Sequence, residues 1–379
     1  MLELKFSHKI SEISKTTWNN LCPTDNPFIR YEFLSALESS NSVCKETGWQ
    51  PFHLQLEDNG IIIAVLPLYF KQHSYGEYVF DWAWADAYQR HNLDYYPKLV
   101  SAIPYSPVTG PRLLTKQNPL PLLAIIKEQL PNLCQKIGAH SFHLLFPTQT
   151  EVDALNHPKL MTRKGCQYQW FNQNYESFAH FLERFTSRKR KNVKKERKKI
   201  IDQNISHIQL TGENITHDLM NQFYDFYRMT YLKRGREAYL TKDFFFELQE
   251  TMPESLLLVI ALKDEQPVAA ALSLKDSNTL YGRYWGCFDE YDSLHFETCY
   301  YQGIDYCIKH KLERFDSGAQ GEHKIQRGFE PVPTWSSHYV KEVGFNQAIR
   351  NFVDEETTAI TQQIEQFSQY LPFKDELGK

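Results

Sequence analysis

The segment LLLVIALKDEQPVAAALSLKDSNTLYGRYWGCF, residues 256–288, limits the fold more than any other part of the chain. It holds three apolar runs broken by turn-forming stretches at Lys263–Pro267 and Lys275–Asn278, so it reads as a three-strand antiparallel meander. A helical pattern precedes it from Thr216 to Leu232, a second follows from Leu294 to Lys309, and the short strand LERFD comes next. Strands and helices therefore alternate along one stretch, which places the chain in the mixed α/β class.

The first half shows a similar order. LELKFS reads as a strand, Arg30 to Glu38 as a helix after the Asn26-Pro27 turn, and residues 51–71 as two strands about an Asp58-Asn59-Gly60 hairpin turn. The alternation in GEYVFDWAWA, residues 76–85, predicts a third strand; helices from Asn92 to Ala102 and from Leu120 to Ile137 follow, and AHSFHLLFP supplies a further strand. The second half opens with the strand QYQWF, passes through a basic helix and NISHIQL to the meander, and closes with WSSHYVKEV and an amphipathic helix beyond Gln347. A chain of 379 residues exceeds one typical core, so we expect two domains, 1–165 and 166–379. Strand, helices, meander, helix, strand is the order of the GNAT type of acyltransferase, and its repetition, with LPLYFK and AALSLK in equivalent strands, indicates an internal duplication. The expected fold is α/β (α+β): two tandem GNAT-like domains, each a mixed, mostly antiparallel sheet flanked by helices.

Composition narrows the classes further. Hydrophobic residues at 42% and aromatics at 14% describe a globular chain whose pockets can be aromatic-lined. Seven cysteines (22, 44, 134, 166, 287, 299 and 307) are scattered without a C-x-x-C pair, so neither a disulfide framework nor a metal site is expected. The N-terminal residues lack the apolar core of a signal peptide and no apolar run approaches the roughly 18–20 residues that span a bilayer, which points to the cytoplasm. The formal net charge of −4 hides an asymmetry: ten of the sixteen positions from Arg184 to Lys199 are Lys or Arg, against the single acid Glu196. Such a segment has a field suited to a polyanion, and Arg188, Arg190, Lys191, Lys194, Lys195 and Lys198 are its candidate contacts. A solvated helix face is the alternative, with Leu182, Phe185, Val193 and Ile200 as a thin apolar stripe.

The stretch FDSGAQGEHKIQRGFEP, Phe315 to Pro331, reads as a site. Gly318 and Gly321 let backbone approach a ligand, and Glu322 to Arg327 bring charge into the same small volume.

With these residues on view, the chain resembles the FemAB-like family, N-acyltransferases predicted from sequence and associated with peptidoglycan biosynthesis or recognition. NPFIRYEFLSALE, GWQPFHLQL, HSYGEYVFDWAWADAY, YYPKLVSAIPYSPVTGPRLL, SRKRKNVKKERKKI, LYGRYWGC and FDSGAQGEHKIQRGFEP carry the likeness over nearly the whole chain. The related FemABX transferases add amino acids from aminoacyl-tRNA to a peptidoglycan precursor and use two GNAT-like domains. Their late motif, an Asp at a strand end, glycines, Phe-Lys and Phe-Gly, corresponds to Asp316, Gly318, Gly321, Lys324 and Phe329. The chain departs by having His323 where those relatives have Phe, and by lacking the long helical arm that some of them insert.

The resemblance implies an N-acyltransferase acting on an amine of a peptidoglycan precursor or related peptide. Acyl transfer needs a deprotonated amine and positive charge where the oxyanion forms. Lys324 is the candidate for the charge, the alternative being a lysine paired only with Glu322. Glu322 or Asp316 is the candidate base, Asp316 alternatively capping its turn; His323 and His338 are alternates for the same role. Arg283 and Trp285 on the last meander strand, Arg327, Gly318 and Gly321 in the loop, and Tyr105, Arg112 and Asp81 in the first half are candidate substrate contacts, guanidinium groups being bidentate partners for oxyanions. No tightly bound cofactor is expected, and the donor is aminoacyl-tRNA or acyl-CoA. The loop after the meander, CFDEYDS, weighs against acyl-CoA, because Asp289, Glu290 and Asp292 repel a pyrophosphate and no glycine follows Gly286 there. Two other readings are an acyl-CoA-dependent GNAT acetyltransferase on another amine and a non-catalytic RNA or wall-precursor binding protein.

Overall fold

The computed structural model describes residues 2–319 and 321–374, so Gln320 of the loop above lies outside the described residues. The chain forms two compact units: one holds the chain up to Cys166 together with Pro333–Gln362, the other Gln167–Val332 together with the chain from Gln363 on.

In the first unit the strands are β1 (Leu2–Ser7), β2 (Trp49–Pro51), β3 (His53–Asp58), β4 (Ile61–Leu66), β5 (Tyr69–Lys71), β6 (Lys98–Ser101) and β7 (Ser141–Leu145). β1, β3 and β4 form an antiparallel sheet, and the β3–β4 hairpin turns on Asn59 and Gly60, both at positive φ. β2, β5, β6 and β7 pair in that order, antiparallel until the β6–β7 step, which is parallel. The helix Pro119–Ile137, capped by the Asn118 side chain and stopped at Gly138 with φ +73°, buries Leu122, Leu123, Ile126, Leu130 and Leu133. Their spacing keeps one face against Leu54, Leu56, Leu66, Leu99, Phe142 and Leu144 of the strands. Each such buried side chain contributes roughly 1.5–3 kcal/mol of transfer free energy.

The second unit contains β8 (Met161–Phe171, from Gln167 on), β9 (Ile205–Thr211), β10 (Leu256–Lys263), β11 (Gln266–Lys275), β12 (Thr279–Cys287) and β13 (Arg314–Asp316). Their order is β9-β10-β11-β12-β13-β8, antiparallel throughout except for the parallel β12–β13 pair. β14 (Glu330–Val340) then pairs antiparallel with β7, Ser336 opposite Leu145 through Val340 opposite Ser141.

The two sheets share one plan, β2-β5-β6-β7-β14 and β10-β11-β12-β13-β8, with a parallel step at the same place. LPLYFK and AALSLK contribute β5 and β11, the second strand of that plan in each. The last strands are exchanged along the chain: the strand after β7 completes the second sheet, and the strand after β13 completes the first. Residues 333–362, expected within 166–379, accordingly group with the first unit.

Two expected elements are corrected. GEYVFDWAWA is not a strand: residues through Asp81 form a loop and Trp82–Arg90 is a helix. Its alternation has another cause, since Glu77 and Asp81 turn inward to the buried Lys98 ammonium while Phe80 and Trp82 face outward. The helix expected from Asn92 to Ala102 is replaced by a loop and β6, because Pro97 has no N–H to give a helix and bars the α region to Tyr96.

Candidate active site

β12 and β13 run side by side for three residues, Thr279 with Arg314, Leu280 with Phe315 and Tyr281 with Asp316. β13 then stops, whereas β12 continues to Cys287, so backbone that would have been paired faces a gap. A pocket of about 110 Å³ occupies this place, lined by Gly282, Arg283, Tyr284 and Trp285 of β12, Ala271 and Ser273 of β11, His295, Cys299 and Tyr300, and Ser317. Cys299 and Tyr300 come from a π-helical turn, Glu297–Tyr301, between the helical segments Leu294–Phe296 and Gln302–His310. Such turns push side chains off the regular α-helical register and recur at functional sites.

The floor is an ion pair. Arg283 Nη2 and Nη1 donate to Asp316 Oδ2 at 2.9 Å and Oδ1 at 3.1 Å, and Gly318 N–H donates to Oδ1 at 3.0 Å. Both side chains are 3% exposed or less. Burial pushes the Asp316 carboxyl up, but the Arg283 guanidinium and the hydrogen bonds outweigh it and hold the group below its ordinary range. A carboxylate so occupied is a poor proton acceptor, and Arg283, a candidate partner for substrate oxyanions, is engaged with this internal one.

Lys324 begins where the glycines end. Gly318 at φ +85° and Gly321 at φ +119° turn the chain into the 3₁₀ segment Glu322–Arg327. This places Lys324, 3% exposed, so that Nζ donates to the carbonyls of Ser317 at 2.8 Å and Gly318 at 3.2 Å. Lys324 does not itself line the pocket; it reaches it through Ser317. An ammonium has three N–H groups, and the third has no partner among the described residues. Burial pushes the Lys324 ammonium down to about 8, Asp316 opposing and Arg283 adding to the shift. Among the described residues Lys324 makes no ion pair with Glu322, which is exposed and takes no part in the pocket lining.

Histidines crowd this end of the sheet. His295 lines the pocket with its ring 5.3 Å from those of Trp285 and Tyr300, and burial, with His323, Lys324 and Arg327, pushes it down to about 4. It is therefore neutral at pH 7, and the same lowering makes it a weak base. The His323 imidazole, held by Tyr300 OH at 3.0 Å from Nε2, is likewise lowered, by burial and then by Arg327 and Lys324. Pattern reading missed His295, because a lone histidine in a helix, SLHFET, carries no local signal.

Other expected contacts lie elsewhere. Arg327 donates to Glu196 Oε1 at 2.7 Å and to the His323 carbonyl at 2.7 Å, and covers the Phe296 ring at 3.4 Å, so it ties the loop to the basic helix. In the first unit Arg112, 0% exposed, spends its guanidinium on the carbonyls of Val108, Gly110, Pro111 and Leu145. Tyr105 donates to the Ser42 carbonyl at 3.1 Å, Asp81 is bound by Lys98 and by Tyr95 OH at 2.6 Å, and His338 is paired with His143. These four are internal supports held by the protein itself, as a buried polar group requires, although Asp81 Oδ1 has no hydrogen-bond partner among the described residues. Of the expected residues, Arg283 and Trp285 line the pocket, and Gly318, His323 and Lys324 adjoin it through Ser317 and Tyr300.

The basic helix is Ser187–Asp202. One side is engaged: Glu196 with Arg327 and Tyr301, Arg197 with Glu297 and Asp305, and Lys199 with Asp292 at 2.6 Å. Lys198 pairs with Asp202 one turn on. Arg188, Lys191, Lys194 and Lys195 are exposed and make no ion pair among the described residues, while Arg190 is partly buried.

Two sheets of one plan, each with a parallel step at the same place, define a tandem GNAT-like fold. The sequence agrees: residues 9–375 match the FemAB-like family, described as peptidoglycan biosynthesis/recognition, and the chain belongs to that family. Among solved structures it is similar to FemX, with a TM-score of 0.55 at 11% identity over 91% of this chain and 100% of that one. It is also similar to the C-terminal domain of a putative lysylphosphatidylglycerol synthetase from Agrobacterium fabrum, with a TM-score of 0.55 at 9% identity, over 93% of this chain and 97% of that one. A third is L-PGS from Bacillus licheniformis, at 0.50 and 11%, over 89% and 98%. At such identities the likeness is one of fold. No curated protein matches the chain. Among the described residues no helix is long and apolar enough to cross a membrane.

Proposed function

We propose that this chain transfers an acyl or aminoacyl group to an amine of a peptidoglycan precursor or a related peptide. The observation that carries the reading is Lys324: a buried ammonium, two of its protons fixed on carbonyls and one unengaged, beside a pocket floored by an internal ion pair. The amine attacks the acyl carbon, and the carbonyl oxygen becomes an oxyanion that the Lys324 ammonium, reached through Ser317, stabilises electrostatically. Neutral His295, too weak a base to hold a proton at pH 7, relays the proton that the amine nitrogen gives up once the new bond has made it acidic. As the tetrahedral intermediate collapses, the bond to the donor oxygen breaks and His295 returns the proton to it, leaving an amide and a free hydroxyl.

The donor we favour is carried on a polyanion such as tRNA. Asp289, Glu290 and Asp292 follow β12, where a pyrophosphate would otherwise approach, while Arg188, Lys191, Lys194 and Lys195 present uncompensated charge. The test is single-turnover transfer from a mixed aminoacyl-tRNA pool to a soluble peptidoglycan precursor, read by product mass. Lys324→Ala lowers the rate by about 10²–10³ and His295→Ala by about 10²–10⁴. Wild-type rates in folded variants would overturn the mechanism, and transfer from acyl-CoA alone would overturn the donor.

A further inference from the structure

The first unit contains a pocket of about 450 Å³, formed by the loop after β1, the end of the helix Tyr31–Ser39 and β2. That is ample for a small ligand. Glu38 lies in its lining, with a side chain 12% exposed, against a fully buried His53. One Glu38 oxygen accepts the Ile10 N–H at 2.9 Å, and the other lies 2.8 Å from His53 Nε2. The tautomer follows from the far side of the ring: Nδ1 accepts the Leu68 N–H at 3.3 Å, so Nε2 carries the proton and donates it to Glu38.

The imidazole is thus neutral, and among the described residues no lysine or arginine pairs with Glu38. The carboxylate is oriented but its charge is not cancelled. It offers about four lone-pair positions, of which two are in use. Exposed Lys9 and Lys45 belong to the same lining and supply two positive charges. A carboxylate fixed by a buried ring calls for a cationic donor, and the lysines call for an anion on the same molecule.

We propose that this pocket binds a zwitterionic ligand of amino-acid or short-peptide size, its ammonium on Glu38 and its carboxylate on Lys9 and Lys45. The inference stands independently of the acyl-transfer reading, because none of its residues belongs to the Lys324 site.

Calorimetry on the full chain tests it with three probes: trialanine, N-acetyl-trialanine and trialanine amide. Trialanine binds, and each blocked peptide binds at least about tenfold more weakly, since each has lost one charge-assisted contact. Glu38→Gln weakens trialanine but leaves the acetylated peptide unchanged, whereas Lys9→Ala with Lys45→Ala weakens trialanine but leaves the amide unchanged. Absence of heat at about 10 mM trialanine, or equal affinity for all three peptides, overturns the proposal. If Glu38→Gln does not fold, the three peptides on the unaltered chain still decide the matter.

Discussion

His143 and His338 meet Nδ1 to Nδ1 at 2.6 Å, directly opposite each other on β7 and β14. Each ring is held at its other nitrogen by a serine two residues away on its own strand, Ser141 and Ser336, at 2.8 Å. The facing nitrogens share one proton, since two N–H groups cannot point at each other at that distance. Lys98 and Arg163 add positive potential, Asp81 opposes it, and Trp84 packs 5.0 Å from the His338 ring.

This pair makes the first unit sensitive to acid. Burial, with Lys98 and Arg163, pushes His143 down to about 3, and burial and His143 push His338 well below its ordinary value. A histidine depressed in the folded state binds its proton more readily when unfolded, so the stability it confers is present above about pH 6.5 and lost as pH falls from there toward about 3. Urea titration between pH 7.5 and 4.5 should show a loss on the order of 5 kcal/mol, both rings staying neutral in the folded state. The double variant His143→Phe, His338→Phe should flatten that slope; an unchanged slope in a folded variant would refute the assignment.

Lys324 gives an alkaline limit to activity. Only the ammonium can stabilise an oxyanion as proposed, and its pKa is lowered to about 8 by burial. Turnover therefore declines as pH rises through about 8, and Lys324→Arg, which stays protonated, removes this limb even if its rate is low. A pH–rate profile identical in both proteins would assign the limb to another group.

The Arg283–Asp316 pair is expected to support the fold of the second unit. Asp316→Asn leaves the buried guanidinium unmatched and costs about 3–5 kcal/mol, measured by denaturant melting. Arg283→Met combined with Asp316→Leu costs less than either single change, because no buried charge is left alone. Additive losses would contradict a coupled pair.

Gly321 is expected to resist any side chain. At φ +119° an added Cβ would lie 2.6 Å from His323 Cε1, so Gly321→Ala must strain the backbone and displace that ring. A stability loss of about 1–3 kcal/mol should accompany reduced transfer. Gly138→Ala, at a helix end with nothing within 4 Å of its Cβ, should reduce stability through its positive φ but leave transfer untouched.

The basic helix can be examined through salt. If its exposed face contacts RNA phosphates, log affinity falls linearly with log salt, and Lys191→Ala, Lys194→Ala and Lys195→Ala together reduce that slope by about 2–3. An unaltered slope would show that these lysines touch no phosphate.

Much of this architecture was legible because period and turn chemistry are local. The meander, the basic helix and the helix after Asn118 each announce themselves through apolar spacing, and the Asn59-Gly60 hairpin through its turn residues. Lys324 could be singled out from its glycines. What stayed hidden depends on partners far along the chain. Asp81 looks like a strand residue until Lys98 supplies its counter-charge, and Arg112 like an anion receptor until four carbonyls are seen around it. His295 gains meaning only beside the end of β13, and helices such as Lys15–Leu21 and Lys242–Thr251 had too few turns to stand out.

The exchange of β8 and β14 has a consequence for synthesis on the ribosome. The nascent chain passes Cys166 with the first sheet still short of its final strand, and that strand emerges only after residue 333. An exposed β7 edge must wait through about half of translation, so neither half can be expressed as a contiguous fragment with its sheet complete. Two sheets of one plan are, topologically, one continuous polypeptide.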